Sequence, residues 1–360
     1  MLLHQTDLFR PHNDPDDHWD LACAFAIAKV GLCPLSGVLI DYPPGAPVLN
    51  HRSNPDLGAV AQLSYLSGIH VPIAVGDPNY FSSRSGDCFN PAPPGVEFVL
   101  RTLRESPLPV AISVVGSSRD IADAIARDPA LFAEKCKALY LVVGSGCHDP
   151  ERVKSLEWNV ALDPAAYAQI FRVPCPIYWL PCLDDEDRVA SPESREFASH
   201  YRFLQSEILD HLPQGLRRYF GAMYEKRESS FWLYALLESF TEVLAVERGR
   251  YRMMYSTPLF FDVAGLGITT AGDIRPKIER RNDWVYCFAP VNVKCSNDGA
   301  TSWTSTSSPS NRMLFHVLDT DAYPMAMTIA MRTLLTRAFG VPELEKLSTP
   351  QGVRAVLQTS

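Results

Sequence analysis

The chain has 360 residues, of which 46% are hydrophobic and 21% charged, a composition typical of a globular protein and unlike a disordered one. The formal net charge is −8, which disfavours the phosphate backbone of a nucleic acid and suits a metal ion or a neutral or cationic small ligand. No apolar run approaches the roughly 20 residues that span a bilayer. The first residues lack the basic and apolar segments of a secretory signal, so we expect neither membrane insertion nor secretion.

The nine cysteines are an odd number, contain no Cys-x-x-Cys pair and mostly lie in apolar stretches. They indicate buried free thiols in a reducing compartment, and not disulfides or a zinc site. We therefore expect a cytoplasmic protein. The sequence does not reveal the oligomeric state, and a homo-oligomer remains open.

Short apolar runs, each closed by a turn or a polar residue, predict six strands in the first half of the chain: 2–6, 37–40, 71–75, 110–115, 138–143 and 177–180. Between several of them, apolar residues three to four positions apart predict helices, most clearly over 119–137. Alternating strands and helices favour an α/β fold with a mostly parallel, doubly wound sheet and helices on both faces. Ligands bind outside the carboxyl ends of the strands in such sheets.

The pattern changes after residue 180. Residues 183–200 are acidic and polar, and residues 203–248 predict two or more long amphipathic helices with a core-facing apolar stripe. Extended runs at 284–294 and 313–317 predict a small C-terminal β element, followed by a helix over about 322–338. We interpret 1–360 as a single domain in which 183–255 forms a helical insertion or cap.

The densest acidic feature lies between the first predicted strand and an apolar helix over 21–30, and it consists of Asp7, Asp14, Asp16, Asp17 and Asp20. Crowded carboxylates repel each other unless a cation neutralises them, and their hard oxygens suit Ca²⁺ or Mg²⁺. The alternative is that the aspartates at 14, 16 and 17 cap the following helix and interact favourably with its dipole. The spacing alone leaves both open.

This segment resembles the start of the nucleoside hydrolases, which open with a strand, an aspartate, and a proline-containing loop that ends in Asp-Asp before an apolar helix. Asp7, Pro15, Asp16 and Asp17 match this order, but the loop is several residues longer, so Asp14 is an alternative to Asp7 as a ligand. Further segments are similar to family strands and strand–helix units: 72–76, 109–116, 120–129 and 139–144.

The most specific match is Glu157-Trp-Asn159, followed by an Asp163-Pro helix start. It is similar to a Glu-x-Asn signature whose side chains bind ribose hydroxyls. Phe261-Asp262 resembles the family's late His-Asp pair. The matches run in order over most of the chain, and they imply the nucleoside hydrolase fold.

The resemblance implies one Ca²⁺ held by Asp7, Asp17, Asp262 and the backbone carbonyl of Val115. Asp16 would be the general base for a calcium-bound water. Asp262 also stands alone in an apolar run, where a buried unpaired acid is costly, which favours a ligand over a solvated side chain.

Four residues are candidates for substrate binding: Glu157, Asn159, Asp41 and Asn13. Asp41 stands where the family often uses an asparagine. Read alone, Glu157 would be a surface acid and Asn159 a turn residue. The acidic run 184–187 follows a strand end and could reach the site, although acidic loops are usually solvated.

Phe261 occupies the place of the family's histidine, and a phenyl ring cannot donate a proton to a departing base. We predict either a surrogate donor, with His12 and His18 as first candidates, or a substrate that needs no acid.

The implied activity is hydrolysis of the N-ribosidic bond of a nucleoside or related riboside in purine or pyrimidine metabolism. One alternative is another ribosyl compound or a ribosyl nucleotide derivative, and a second is a weakly catalytic ribose- or metal-binding protein on the same scaffold. A phosphatase with an aspartate nucleophile would need Asp-x-Asp after the first strand, where Asp7-Leu-Phe9 stands instead.

Overall fold

The computed structural model describes residues 1–10, 12–42, 54–81, 91–184, 196–226, 233–279 and 281–340. The strands within these ranges are β1 (Leu2–Thr6), β2 (Leu35–Ile40), β3 (Ile73–Val75), β4 (Val110–Val114), β5 (Cys136–Leu141), β6 (Ile177–Trp179), β7 (Tyr201–Leu204), β8 (Tyr251–Met254), β9 (Leu266–Ile268), β10 (Ile274–Pro276), β11 (Tyr286–Cys295), β12 (Thr301–Ser305) and β13 (Arg312–Val317). The α-helices are α1 (Pro15–Lys29), α2 (Pro55–Ser67), α3 (Pro94–Glu105), α4 (Arg119–Arg127), α5 (Pro129–Lys135), α6 (Trp158–Leu162), α7 (Pro164–Ile170), α8 (Ser206–Leu209), α9 (Gln214–Tyr224), α10 (Thr241–Glu247), α11 (Thr257–Val263) and α12 (Tyr323–Phe339).

Nine of these strands form one sheet in the order β12-β11-β13-β6-β5-β4-β1-β2-β3. The pairings from β3 to β13 are parallel, whereas β11 runs antiparallel to β13 and β12 antiparallel to β11. β1 lies between β2 and β4, so the chain winds outward from it in both directions. A crevice forms at such a switch point, outside the carboxyl ends of the strands. The mostly parallel α/β fold predicted from the sequence is confirmed.

Each face of the sheet has its own hydrophobic core, which explains why the central strands read as continuous apolar runs. On one face, α1, α2, α9, α11 and α12 contribute side chains such as Phe25 and Phe260. On the other, α3, α4, α5 and α7 contribute side chains such as Val99 and Tyr167. The six predicted strands are confirmed with small shifts at their ends.

The single helix predicted over 119–137 is instead formed by two helices, α4 and α5, and by the first residues of β5. Asp128 leaves the helical conformation at φ −144° and ψ 70°, and its carboxylate accepts a hydrogen bond from the Leu131 amide. A residue before proline is pushed out of the α region by the pyrrolidine ring, and Pro129 supplies that ring. Asp128 therefore ends α4 and caps α5.

The prediction of long helices over 203–248 is wrong for the described residues. Their longest helix is α9, with 11 residues, and β7 pairs antiparallel with β8 beside it. Pro213 precedes α9 in an extended conformation, and a proline cannot continue the hydrogen-bonding of a preceding helix. Apolar residues spaced by three to four positions fit several short helices as well as one long one. Residues 185–195 and 227–232 of the predicted cap, 183–255, lie outside the described residues, and the cap stays a prediction.

The C-terminal part agrees with the predicted extended runs and the final helix, which packs against α1. The eight cysteines within the described ranges are free, and six of them are buried, which agrees with the predicted thiols. No helix in the described part of the chain is long and apolar enough to cross a membrane.

Candidate active site

A cavity of about 860 Å³ opens at the carboxyl ends of β1, β4, β5 and β6. Its walls come from the loop after β1 and the start of α1, from the ends of β4 and β5, from α6, from the segment after β6 and from the segment before α11. The lining residues are His12, Asp14, Asp16, Asp17, Val115, Val142, Leu156, Glu157, Trp158, Asn159, Ala161, Cys182, Leu183, Tyr255 and Ser256. Most of the predicted site residues thus share one cavity.

Asp7 and Asp17 join the end of β1 to the first turn of α1. The Oδ2 atom of Asp17 accepts hydrogen bonds from the Thr6 hydroxyl at 2.8 Å and from the Asp7 amide at 2.9 Å. The Oδ2 atom of Asp7 is buried and, among the described residues, has no hydrogen-bond donor. Burial raises the pKa of both carboxyl groups, and repulsion from neighbouring acids raises it further.

Asp14 and Asp16 lie at the N-terminal end of α1. Asp14 occupies the N-cap position but makes no side-chain capping bond, so its side chain does not cap the helix. Its carboxylate instead lies 3.5 Å from the His12 ring and interacts with the carboxyl group of Asp16. Burial raises the pKa of Asp16, Asp14 raises it further, and Arg252 opposes the shift.

Glu157 and Asn159 line the same cavity from the start of α6. The Glu157 carboxylate accepts hydrogen bonds from the amides of Asn159, Gly144 and Val160 at 3.0, 2.9 and 3.3 Å, and so caps α6. Burial raises the pKa of Glu157, although these three bonds oppose the shift. The Asn159 side-chain NH₂ group donates to the Val115 carbonyl at 3.1 Å, while the Asn159 side-chain oxygen is buried and has no donor among the described residues.

The structure does not bring Asp262 into the cavity. Its Oδ2 atom accepts a hydrogen bond from the Tyr140 hydroxyl at 2.7 Å, and its Oδ1 atom forms an ion pair with Lys277. Phe261 is fully buried in the core. Only the residues just before α11, Tyr255 and Ser256, reach the cavity wall, because α11 runs away from it into the core.

Asp41, Asn13 and Asp7 also lie outside the cavity lining. The Asp41 carboxylate accepts hydrogen bonds from the amide and hydroxyl of Ser117, both at 2.8 Å, and pairs with the fully buried Arg119 at 3.2 Å. The Asn13 amide points to the Met223 carbonyl at 3.4 Å. Of the acidic run 184–187, residues 185–187 lie outside the described residues.

The two candidate proton donors differ sharply. His12 lies at the cavity with about half of its side chain exposed, and its hydrogen bond to Asp14 raises its pKa. His18 is fully buried, its ring lies 2.9 Å from the Tyr219 hydroxyl, and burial lowers its pKa to about 3. Of the two, only His12 is placed to meet a ligand.

Comparison with known proteins identifies the fold. Residues 57–322 match the family of inosine-uridine preferring nucleoside hydrolases. The chain belongs to this family. A purine-preferring ribonucleoside hydrolase from Gardnerella vaginalis is similar at 14% identity and a TM-score of 0.51, over 94% of this chain and 100% of that one. An inosine-uridine preferring nucleoside hydrolase from Bacillus anthracis is similar at 15% identity and a TM-score of 0.44, over 92% of this chain and 99% of that one. No curated protein matches the sequence significantly.

Membership in this family makes the chain a glycosidase that acts on N-glycosyl compounds. The matched range begins after the acidic loop, so the roles of Asp7, Asp14, Asp16 and Asp17 in this nucleoside hydrolase depend on the geometry and on the earlier resemblance.

The acidic loop fits a metal ion only in part. The family is metal-dependent, and the partnerless Oδ2 atom of Asp7 beside the buried carboxylate of Asp17 suits a hard cation. However, the described residues contain no group of three or more His, Cys, Asp or Glu side chains arranged to hold a metal. The Val115 carbonyl keeps one lone pair free beside its bond from Asn159.

Sequence reasoning missed Tyr255, Ser256 and Cys182. The Ser256 hydroxyl donates to Asp20, a fully buried acid in α1, so the segment before α11 is fixed to the acidic helix. A proline in the first turn of a helix is a start signal, and Pro258 marks the beginning of α11. That signal could have placed the cavity-facing residues just before the helix, and not inside it at 261–262.

Proposed function

We propose that this nucleoside hydrolase cleaves the N-ribosidic bond of a nucleoside or a related riboside in the 860 Å³ cavity. The observation that carries the proposal is that two pairs of predicted site residues line one cavity. Asp16 and Asp17 come from the start of α1, and Glu157 and Asn159 come from the start of α6. A sugar held between them would have carboxylates and an amide oxygen around its anomeric carbon.

The charge of the cavity favours a substrate without phosphate. Four of the lining residues are acids, Asp14, Asp16, Asp17 and Glu157, and the described lining contains no Lys or Arg. Cleavage of an N-ribosidic bond passes through an oxocarbenium-like transition state, whose positive charge these carboxylates would stabilise. A phosphorylated ribosyl compound would meet repulsion from the same groups. This charge pattern supports a nucleoside over a ribosyl nucleotide derivative.

We further propose that Ca²⁺ binds beside Asp7 and Asp17, with the Val115 carbonyl as a third oxygen. The support is the burial of two adjacent carboxyl groups, the partnerless Asp7 oxygen and the absence of a Lys or Arg ion pair to either group among the described residues. Asp262 is left out of this set because its Oδ2 atom accepts a hydrogen bond from the Tyr140 hydroxyl and its Oδ1 atom, which has no hydrogen bond among the described residues, is paired with the Lys277 ammonium. When bound, such a cation supplies Lewis acidity that makes water a better nucleophile.

In the proposed reaction Asp16 acts as the general base. It lies next to Asp17 in the first turn of α1 and lines the cavity. Its carboxylate removes a proton from a water that attacks C1′ of the ribose, while the base departs from the opposite face with the bonding electron pair. Attack opposite to the leaving group inverts the anomeric centre. Asn159 and Glu157 would orient the sugar hydroxyls from the start of α6.

A panel of nucleosides with added Ca²⁺ and a reducing-sugar assay tests this function. We expect ribose release from at least one of inosine, adenosine, uridine and cytidine. The alternative, a ribose-binding protein without useful catalysis, predicts calorimetric binding of the same nucleosides with no sugar released. If the protein neither releases ribose from these nucleosides nor binds them, the proposal is overturned.

A further inference from the structure

His12 occupies a distinct position at the cavity edge. Its Nε2 atom lies 3.5 Å from a carboxylate oxygen of Asp14. Its ring also makes an edge contact with the indole of Trp158, at 5.3 Å between centroids and an angle of 86°. Asp14 comes from the acidic loop and Trp158 from α6, so His12 contacts two of the segments that line the cavity.

The three hydroxyl and thiol groups in the described part of the cavity lining are poorly suited to protonate a leaving group. The Ser256 hydroxyl is already committed to Asp20. Burial raises the pKa of Tyr255, and the acids around the cavity raise it further, so its proton is held tightly. The thiol of Cys182 donates to the Val142 carbonyl at 3.5 Å.

We propose that His12 is the catalytic acid of this chain: it donates its ring proton to the departing base, and Asp14 and Trp158 hold the ring in place. This inference rests on the proposed function and adds a residue to it. The C1′–N bond breaks, its electron pair moves to the base, and the His12 proton joins a base nitrogen. Water forms the new bond to C1′ and gives a proton to Asp16. The products are ribose and neutral base, and proton exchange with solvent resets both side chains.

The contact with Asp14 favours the protonated form of the His12 ring. The hydrogen bond from His12 to Asp14 raises the pKa of the histidine, while partial burial and the nearby ammonium of Lys226 act against that shift. Among the described residues, Asp14 is the charged group that contacts the ring, and the other contact, Trp158, is neutral. An Asp14→Asn variant removes the charge and keeps the side-chain shape.

The test compares inosine, whose base needs protonation, with p-nitrophenyl riboside, whose leaving group does not. For His12→Ala we expect kcat/KM on inosine to fall about 10²–10⁴-fold, the range of general acid catalysis, and to stay within about 3-fold on the activated riboside. Asp14→Asn should show the same selectivity with a smaller loss. Histidine NMR titration should show a lower pKa for His12 in Asp14→Asn than in the wild type.

His148→Ala is the matched control, because this exposed histidine also packs against a tryptophan edge, Trp303 at 6.2 Å, but does not line the cavity. It should leave kcat/KM on both substrates unchanged.

Equal losses of kcat/KM on both substrates in His12→Ala would show a role in binding or structure and overturn the inference. So would an unchanged rate on inosine. If the wild type hydrolyses neither compound, the proposed function fails and this inference fails with it, whereas wild-type turnover without selectivity in the variant overturns the inference alone.

Discussion

The carboxylate of Asp17 accepts a hydrogen bond from the backbone amide of Asp7 at 2.9 Å, so the first turn of α1 is attached directly to the end of β1. This contact fixes the direction in which α1 starts. Asp16, one residue earlier, consequently lies at the cavity, while Asp17 turns towards the buried strand end. Two neighbouring aspartates are thus given different surroundings.

The different positions of Asp16 and Asp17 predict different mutant phenotypes. Asp16→Asn should retain Ca²⁺ but lose about 10²–10⁴-fold in kcat, because a general base contributes about that much. Asp17→Asn should weaken Ca²⁺ binding itself, because an amide oxygen carries no charge. Calorimetric Ca²⁺ titration beside steady-state kinetics measures both. Equal loss of Ca²⁺ affinity in the two variants would contradict the division of roles.

The ion pair between Asp262 and Lys277 predicts that Asp262 matters for stability and not for metal binding. Asp262→Asn should lower the free energy of unfolding by about 1–3 kcal/mol, since a hydrogen-bonded charged group is lost from a buried position. Its Ca²⁺ affinity should equal that of the wild type. Urea unfolding and Ca²⁺ calorimetry decide this, with the exposed Asp273→Asn as a control expected within about 0.5 kcal/mol. A large drop in Ca²⁺ affinity for Asp262→Asn would restore it as a ligand.

The buried pair of Asp41 and Arg119 predicts a large structural effect. Asp41→Ala would leave the fully buried guanidinium of Arg119 without its carboxylate, and breaking such a pair costs about 3–5 kcal/mol. Chemical denaturation should show this loss. If Asp41 instead contacted the ribose, the variant would keep its stability and show a higher KM.

Asp20 predicts a pH dependence of stability. Burial raises its pKa from 3.8 to about 8, so the folded state holds a proton that the unfolded chain releases at much lower pH. Its contribution to stability is fully present below about pH 4 and is lost as the pH rises through about 8. In EDTA, the free energy of unfolding should fall less between pH 5 and 8.5 in Asp20→Asn than in the wild type. Parallel pH profiles for the two proteins would rule out this role.

The sheet could be predicted from sequence because its strands are short, continuous apolar runs closed by polar residues. The acidic side of the cavity could be predicted because Asp16 and Asp17 stand at the start of the apolar helix that follows the first strand. The breaks inside the predicted helices were harder to place, because periodicity persists across a turn when both short helices bury the same face. Pro129 and Pro213 carried the missing information.

The late part of the site could not be predicted as well. An acid within an apolar run must have a partner, and a metal was one such partner for Asp262. Asp262 instead contacts Tyr140, which lies 122 residues earlier in the chain, and Lys277, which lies 15 residues later. Neither separation produces a sequence pattern from which the contact could be predicted. The resemblance implies a ribose contact for Glu157, yet its two oxygens also cap α6, a role that depends on the exact start of a helix.

The stereochemistry of the first sugar released tests the central claim most directly. Wild-type protein, Ca²⁺ and inosine, followed by proton NMR faster than mutarotation, should show the α-anomer of ribose appearing first. That result is expected if water, activated by Asp16, attacks C1′ from the face opposite the base. Initial release of the β-anomer, or the absence of any ribose, would contradict the account.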